Sequence, residues 1–326
     1  MAPRPPAPTC LPAFGVRLAA PDLGPWREGN TGIEGVTSFT APEAGPHVVL
    51  MGITHGNELA GAIVLDAMLR QNLRPLRGRL TCIFANLAAF DRFDPRHPTA
   101  SRFVEEDLNR LWDPAVLDGP RRSVELDRAR RLRKVIDSAD LVLDLHSMLW
   151  PSVPLTLCGS APQGMALACA IGVPALVVAD HGHANGRRVI DYPRFIAATE
   201  GPGKAARPAA VLLEAGQHWE KATVEVARAA ALNLLAHVGM AKPRGPAKSP
   251  PQRRAEVTHA IVATSTDFTF LHAFEGGEVI AARDTLIARD GGAEIRTPYD
   301  RCLMVMPSLR PGRGHTAVRL ARFLDA

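Results

Sequence analysis

From residue 48 to residue 238, short apolar runs alternate with longer stretches of helical periodicity. The apolar runs are continuous instead of alternating with polar residues, which is typical of strands that are buried on both faces of a sheet. We therefore predict an α/β fold with a mostly parallel or mixed central sheet flanked by helices. The predicted strands cover residues 48–53, 79–85, 140–145, 175–179 and 209–213, and the predicted helices cover 57–71, 121–137 and 220–238.

The pattern changes after residue 256, where short apolar stretches are separated by Gly-Gly, Arg-Asp-Gly-Gly and Pro. Short apolar stretches separated by such turn-forming residues predict a small β domain with hairpin turns over residues 256–326. Residues 241–255 are rich in Pro, Lys and Arg and lack large apolar side chains, which predicts an extended linker. Residues 1–240 would form the larger domain.

The formal net charge of +5 does not indicate a nucleic-acid-binding surface. Five basic residues of the predicted linker account for the whole excess, and aromatic residues, which could stack on bases, make up only 5% of the chain. We therefore expect no nucleic-acid partner. The linker residues concerned are Lys242, Arg244, Lys248, Arg253 and Arg254.

The apolar runs and the cysteines indicate a cytoplasmic protein without a membrane partner. No apolar run approaches the roughly 18–20 residues that cross a bilayer, and the Pro-rich start lacks the apolar segment of a secretory signal. The cysteines are odd in number and show no C-x-x-C spacing, which is typical of reduced thiols. They are Cys10, Cys82, Cys158, Cys169 and Cys302.

Four side chains suited to a hydrolytic zinc site follow three of the predicted strands. His55 and Glu58 follow the strand at 48–53, His146 follows the strand at 140–145, and Glu214 follows the strand at 209–213. Ligand crevices of open α/β sheets form at the carboxyl ends of strands. A catalytic zinc ion commonly takes two imidazoles and one carboxylate and leaves its fourth position to water. These residues predict metal-assisted hydrolysis of an amide or ester, with Glu214 as the base.

Three neighbouring residues have predicted supporting roles. Gly56 allows a tight turn, and Asn57 is a plausible N-cap for the helix that begins near Glu58. Asp144 precedes His146 by two residues, so both would project from the same face of a strand. It would orient a ligand imidazole or line the site. The Asp180-His181-Gly-His183 stretch is interpreted as an exposed polar turn, with substrate contact or a second metal site as its functional alternative.

Four motifs in this order resemble the succinylglutamate desuccinylase/aspartoacylase family, a branch of the zinc carboxypeptidase superfamily. They are His55-Gly-Asn-Glu58, the stretch from Arg102 to Arg110, Asp144-Leu-His146-Ser, and Leu213-Glu214-Ala-Gly. The resemblance runs from about Val48 to the helix after Glu214, and the linker and β domain fit the same layout.

The resemblance implies a zinc-hydrolase catalytic domain over residues 1–240 that holds one Zn²⁺ per chain. It implies that His55, Glu58 and His146 bind the ion and that Glu214 activates water. Arg102 would polarise the scissile carbonyl and share the oxyanion charge, while Asn109 and Arg110 would hold the carboxylate of the substrate.

The expected substrate is a small N-acylated amino acid or a related carboxylate-bearing amide, and a homo-oligomer is an open possibility. A metallocarboxypeptidase that trims peptides and a non-catalytic binding protein on the same fold are the alternatives. Two features depart from aspartoacylases. The cations near the base are Lys204 and Arg207, which do not match the family's arginine, and Tyr299 is the sole tyrosine of the predicted β domain.

Overall fold

A computed structural model describes residues 15–183, 185–197, 207–243 and 251–324, which fall into two compact units. The larger unit consists of Val16–Ser147 and Pro154–Gln252, and the smaller unit contains Met148–Val153 and Arg253–Ala326. None of the helices in the described ranges is both long and apolar enough to span a membrane.

The larger unit is built on a mixed sheet. Its strands are β1 (Val36–Thr40), β2 (His47–Gly52), β3 (Arg79–Phe84), β4 (Leu141–Met148), β5 (Leu155–Cys158), β6 (Leu176–Ala179) and β7 (Ala209–Gln217). They lie in the order β1-β3-β2-β4-β7-β5-β6. Strand β2 runs parallel to β3 and β4, and β5 runs parallel to β6, whereas β1–β3 and β5–β7 are antiparallel pairs. The predicted α/β fold with a mixed central sheet is confirmed.

The helices of the larger unit vary widely in length. They are α1 (Leu59–Arg70), α2 (Leu87–Phe90), α3 (Pro114–Leu117), α4 (Val124–Ile136), α5 (Pro162–Ile171), α6 (Pro193–Ile196) and α7 (Lys221–His237), with 3-10 turns at Gly24–Trp26, Leu108–Arg110 and Val189–Asp191. Helices α1 and α5 both pack against α7, and the three also contact β2, β5, β6 and β7. This packing buries every residue of β2, which explains its unbroken apolar run.

Helix α1 approaches β2 unusually closely because glycines face each other. A Cβ added to Gly52 would lie 2.9 Å from the backbone of Gly61, and a Cβ on Gly61 would lie 3.0 Å from the Cα of Gly52. Neither position therefore has room for a larger residue. This contact fixes the start of α1, which directly follows Glu58, against the carboxyl end of β2.

Several predicted boundaries need correction. Strands β4 and β7 continue through the polar residues His146 and Glu214, which were expected to follow them. The short strand β5 and helix α5 were not predicted, because a four-residue apolar run carries no periodicity that separates it from a loop. The edge strand β1 was also missed, since its second half is only partly buried.

The smaller unit consists of antiparallel strands, as its hairpin signals predict. Its strands are β8 (Arg253–Val262), β9 (Thr269–Phe270), β10 (Val279–Ile280), β11 (Leu286–Asp290), β12 (Ala293–Arg296), β13 (Cys302–Val305) and β14 (Thr316–Phe323). They form the series β8-β14-β13-β10 and β12-β11-β9. The core includes Phe268, Phe270, Phe274, Ile287 and Met304. The predicted linker is shorter than expected, because Arg253–Ala255 already belong to β8, and residues 244–250 lie outside the described ranges.

A buried histidine at the start of β2 makes the stability of the larger unit sensitive to pH. His47 is 6% exposed, its Nε2 lies 2.8 Å from Thr81 Oγ1, and its Nδ1 lies 2.6 Å from Nη2 of Arg79. Nδ1 also lies 3.0 Å from the carbonyl oxygen of Ser138. Burial lowers the pKa of His47 to about 4, and the Arg79 and Arg194 guanidiniums lower it further against the opposing effects of the Ser138 carbonyl and Asp140.

We predict that His47 makes the protein less stable as the pH falls from about 6.5 to about 4. The unfolded chain binds a proton in this range that the folded protein does not, so stability falls by at most about 1.4 kcal/mol per pH unit. The His47→Gln variant should lack this component. Denaturant unfolding of both proteins at a series of pH values measures the difference, and parallel pH profiles would contradict the prediction.

Candidate active site

Three adjacent strands of the larger unit bring the predicted site residues together. Strand β4, which carries Asp144 and His146, lies between β2 and β7, and β7 carries Glu214. His55 comes three residues after the end of β2. The intervening Ile53 has φ +51°, which is rare for a β-branched residue and costs of order 1–3 kcal/mol. This strained turn redirects the chain before His55.

The carboxylate of Glu58 lies between two imidazoles. Helix α1 begins at Leu59 with Glu58 at the N-cap position, so the predicted capping role of Asn57 is wrong. The Glu58 side chain does not cap the helix either. Its Oε1 lies 2.7 Å from Nδ1 of His55, and its Oε2 lies 3.0 Å from Nδ1 of His146. The two imidazoles hold the pKa of Glu58 well below its usual value, even though burial opposes ionisation.

The same three side chains have the chemistry and spacing of a metal site. One ligand atom from each of His55, Glu58 and His146 lies within 4.8 Å of the others, and all three residues are buried. Two imidazole nitrogens and one carboxylate oxygen form a donor set that suits a catalytic zinc ion. A metal ion would replace the protons that now link the imidazoles to the carboxylate, which fits the arrangement.

Each candidate ligand imidazole is also held by an aspartate on its far nitrogen. Nε2 of His146 lies 2.7 Å from Asp144 Oδ2, and Nε2 of His55 lies 2.9 Å from Asp107 Oδ1. Thr54 Oγ1 donates to the second oxygen of Asp144 over 2.9 Å. For His146, a hydrogen bond of this kind places the proton on Nε2 and leaves Nδ1 as the metal ligand. Nε2 of His55 also lies 2.9 Å from Nη2 of Arg102. Burial disfavours a charged ring, yet Asp144 and Glu58 raise the pKa of His146 well above its usual value.

Asp107 links the candidate metal site to the candidate substrate-binding residues. Nη2 of Arg102 donates to Asp107 Oδ2 over 3.1 Å, and Nη2 of Arg110 lies 3.8 Å from the same oxygen. The backbone amide of Asn109 donates to Asp107 Oδ1, and the Asn109 side chain accepts from the amide of Val189. The structure therefore brings Arg102, Asn109 and Arg110 to the histidine cluster.

Glu214 is a buried carboxyl group that has an unused acceptor. Its Oε2 has no hydrogen-bond partner among the described residues, and the residue is only 6% exposed. Burial raises the pKa of Glu214 to about 8, and the nearby Glu58 carboxylate adds to this rise while His146 and Arg102 oppose it. An orphaned acceptor of this kind suits a group that interacts with water or with a ligand.

Two further residues of the site were not singled out from the sequence. His218 lies four residues after Glu214, is 3% exposed, and places Nδ1 2.7 Å from Oγ of Ser147. The amide of Ser147 in turn donates to Glu58 Oε2 over 3.1 Å. Burial lowers the pKa of His218 to about 4, so its ring is neutral. Ser147 ends the Asp144-Leu-His146-Ser motif, but no role was predicted for it, and His218 lies beyond the Glu214 motif in no recognisable pattern.

Arg207, one of the cations near the base, lies away from this cluster. Arg207 precedes β7, and the five residue-to-residue steps from Ala209 to Glu214 span roughly 16 Å of extended strand. Lys204 lies outside the described residues. Tyr299 belongs to the smaller unit, where its hydroxyl lies 2.6 Å from Thr258 Oγ1.

The interpretation of residues 180–183 as an exposed turn also needs correction. His181 is exposed, but Asp180 is buried and binds the buried guanidinium of Arg188 over 2.7 Å. Asp191 binds the same guanidinium. Asp180 is therefore part of a buried ion-pair cluster.

Comparison with known proteins agrees with the geometry of the site. The profile of the succinylglutamate desuccinylase/aspartoacylase catalytic domain matches residues 44–238, which is more than half of the chain. The chain belongs to the succinylglutamate desuccinylase/aspartoacylase family. The matched range includes all the candidate ligands, the candidate base and the predicted substrate-binding residues.

Individual relatives are more distant. An N-acyl-aromatic-L-amino acid amidohydrolase (carboxylate-forming) A from Danio rerio is 30% identical over 115 residues, which cover 31% of this chain and 32% of that protein. The match thus spans about a third of the length of this curated relative.

Two solved structures show the same fold. A succinylglutamate desuccinylase from Vibrio cholerae is 20% identical with a TM-score of 0.67, over 89% of this chain and 85% of its own. The ectoine utilization protein EutE from Ruegeria pomeroyi, solved with product bound, is 18% identical with a TM-score of 0.60, over 88% and 87% of the two chains.

We predict that Asp144→Asn weakens the binding of added Zn²⁺ by roughly 10–100-fold, because a neutral amide no longer favours the His146 tautomer that carries its proton on Nε2 and leaves Nδ1 free for the metal. Competition with a chelator of known affinity measures the loss. The matched control is Asp118→Asn, which changes an aspartate whose side chain is 64% exposed and binds Arg133. Equal zinc affinity in Asp144→Asn and the parent protein would contradict this role.

Proposed function

We propose that this protein is a zinc-dependent hydrolase that cleaves the amide bond of a small N-acylated amino acid or a related carboxylate-bearing amide. The observation that carries the proposal is the convergence of His55, Glu58 and His146 on one point within the matched catalytic domain. The relative from Danio rerio, an amidohydrolase of N-acyl aromatic amino acids, supports the same class of reaction.

The metal would be held by Nδ1 of His55, Nδ1 of His146 and the carboxylate of Glu58. A zinc ion bound there would polarise the amide carbonyl and lower the pKa of water from 15.7 toward about 7. Asp107 and Asp144 would keep the two imidazoles oriented by accepting from their Nε2 atoms.

Glu214 would act as the general base and then as the general acid. Its carboxylate would take a proton from the attacking water and return it to the nitrogen of the leaving amine. The location of Glu214 supports this role, since it is buried, lies in the electrostatic field of Glu58, His146 and Arg102, and has an orphaned oxygen. A cation bound beside it would favour its ionised form at neutral pH.

Arg102, Asn109 and Arg110 would bind and orient the substrate. The side chain of Arg102 is 38% exposed and carries a guanidinium close to His55 and Glu58, where it could share the negative charge that develops on the carbonyl oxygen. Arg110 and Asn109 would hold the substrate carboxylate, for which a guanidinium offers a bidentate fork.

A panel of N-acyl amino acids, assayed with and without a chelator, tests the proposed function. The panel should include acetyl and longer acyl groups on acidic, neutral and aromatic amino acids, together with short peptides. Chelator-sensitive release of the free amino acid is the expected result. Cleavage of peptides alone would favour a carboxypeptidase, and no cleavage of any substrate would favour a binding protein.

We predict that Glu214→Gln retains zinc but lowers kcat by about 10²–10⁴-fold, the range that general acid–base catalysis supplies. Glutamine has the same shape and cannot accept the proton. Metal analysis and turnover should be measured on the same preparation, with Glu225→Gln on the exposed surface of α7 as the matched control. Normal turnover in Glu214→Gln would exclude Glu214 as the base.

A further inference from the structure

A buried carboxylate on the first turn of α4 binds the chain segment that carries Arg102. Glu125 is fully buried, with 0% exposure. Its Oε1 accepts from the backbone amide of Val104 over 2.6 Å, and its Oε2 accepts from the amides of Glu105 and Glu106 over 3.1 and 3.3 Å. Three consecutive amides of an irregular segment are thus satisfied by one side chain.

A fourth donor completes the shell around this carboxylate. Nδ2 of Asn86 donates to Glu125 Oε1 over 3.1 Å, and Oδ1 of Asn86 caps the short helix α2. Each oxygen of Glu125 therefore has two N–H donors. An ionised carboxylate, which only accepts, is the group that this shell requires.

The side chains of Glu105 and Glu106 in turn bind the start of α4. The carboxylate of Glu105 accepts from the amide of Val124 over 2.5 Å, and the carboxylate of Glu106 accepts from Oγ of Ser123, which is the N-cap residue of α4. Nη1 of Arg121 also binds Glu106 over 2.5 Å. Residues 104–106 and the start of α4 thus bind each other reciprocally, and we call this arrangement the α4 clasp.

A second anchor fixes the segment on its other side. The amide of Gly56 donates to the carbonyl oxygen of Arg102 over 3.1 Å. A Cβ on Gly56 would lie 2.6 Å from the carbonyl oxygen of Ser101 and closer still to the backbone at Ala89 and Phe90, so only glycine fits. Arg102 is therefore held between the turn that carries His55 and the α4 clasp.

We propose that Glu125 is a positioning residue that sets the place of Arg102 and Asp107 relative to the candidate metal ligands. The inference rests on the proposed function of the site. Asp107 directly follows the clasped residues 104–106, and it contacts both His55 and Arg102. Displacement of residues 104–106 would therefore move the oxyanion-stabilising guanidinium and the aspartate that orients His55 together.

The Glu125→Gln variant tests this inference because it changes the acceptor pattern and little else. A glutamine can keep one oxygen facing one pair of donors, but its NH₂ group must then face the other pair. One pair of donors therefore loses its acceptor. This pair is either the backbone amide of Val104 with Nδ2 of Asn86, or the backbone amides of Glu105 and Glu106. Residues 104–106 should therefore become more mobile, whereas the central sheet should stay intact.

Three measurements on the zinc-loaded full-length protein define the expected result. In Glu125→Gln, the amides of residues 104–106 should exchange hydrogen about 10-fold faster or more, while those of β2 are unchanged. The value of kcat/KM should fall by roughly 10–100-fold, because a small misplacement of a catalytic group is costly. In an Arg102→Ala background the same change should cost less than it costs in the parent protein, because the part of the effect that acts through Arg102 is already lost.

The matched control is Asp127→Asn on the same helix, which removes surface contacts to Arg122 and Arg130 and should alter none of these quantities. Unchanged exchange at residues 104–106, or an equal loss of kcat/KM with and without Arg102, would overturn the inference. If Glu125→Gln does not fold, Glu106→Gln takes its place. This variant weakens the contacts of Glu106 with Ser123 and Arg121. It should also speed hydrogen exchange at residues 104–106, and unchanged exchange there would overturn the inference.

Failure of this inference is distinguishable from failure of the proposed function. Hydrogen exchange and the binding of an N-acetyl amino acid to the Glu214→Gln protein are both measured without turnover. A parent protein that cleaves no substrate would count against the proposed function. Even then, addition of Glu125→Gln to the Glu214→Gln protein should weaken the binding of the N-acetyl amino acid about 10-fold. Unchanged binding of that ligand would overturn the positioning role.

Discussion

The buried carboxylate of Glu58 is the group on which the arrangement of the site depends. It lies between Nδ1 of His55 and Nδ1 of His146, at 2.7 and 3.0 Å. A buried carboxylate is costly unless it is fully paired, so this contact both requires and fixes the two imidazoles. Glu58 can reach them because α1 starts directly after it and packs tightly on β2 through Gly61.

Two further sets of contacts hold Glu58 and the two imidazoles in place, namely the aspartates behind the imidazoles and the α4 clasp. Asp144 and Asp107 accept from the outer nitrogens of the imidazoles, and they come from very different structures. Asp144 lies in the buried strand β4, whereas Asp107 lies in an irregular segment between α2 and α3 that has no sheet to hold it. The α4 clasp supplies the missing rigidity, because Glu125 satisfies three amides of that segment. His146 is thus oriented by an aspartate on a strand, whereas His55 is oriented by an aspartate whose position depends on the buried side chain of Glu125.

Much of this architecture could be predicted from the sequence, and the parts that could not have physical reasons. The apolar runs located β2, β4 and β7, and with them the neighbourhood of the three motifs, because buried strands have a continuous apolar pattern. The roles of Glu125 and His218 were not predictable, since each depends on contacts between residues that are distant in the chain. A glutamate in a highly charged helix gives no local sign that it is fully buried. The ends of β4 and β7 were predicted too early, because His146 and Glu214 interrupt the apolar pattern without ending the strands.

The most direct test of this account is the position of the metal. Anomalous diffraction at the zinc absorption edge, from crystals of the zinc-loaded protein, locates the ion without reference to activity. The account predicts a peak at about 2.0–2.2 Å from Nδ1 of His55, Nδ1 of His146 and a carboxylate oxygen of Glu58. A peak that is bonded to Nε2 of either histidine, or that lies away from Glu58, would contradict it.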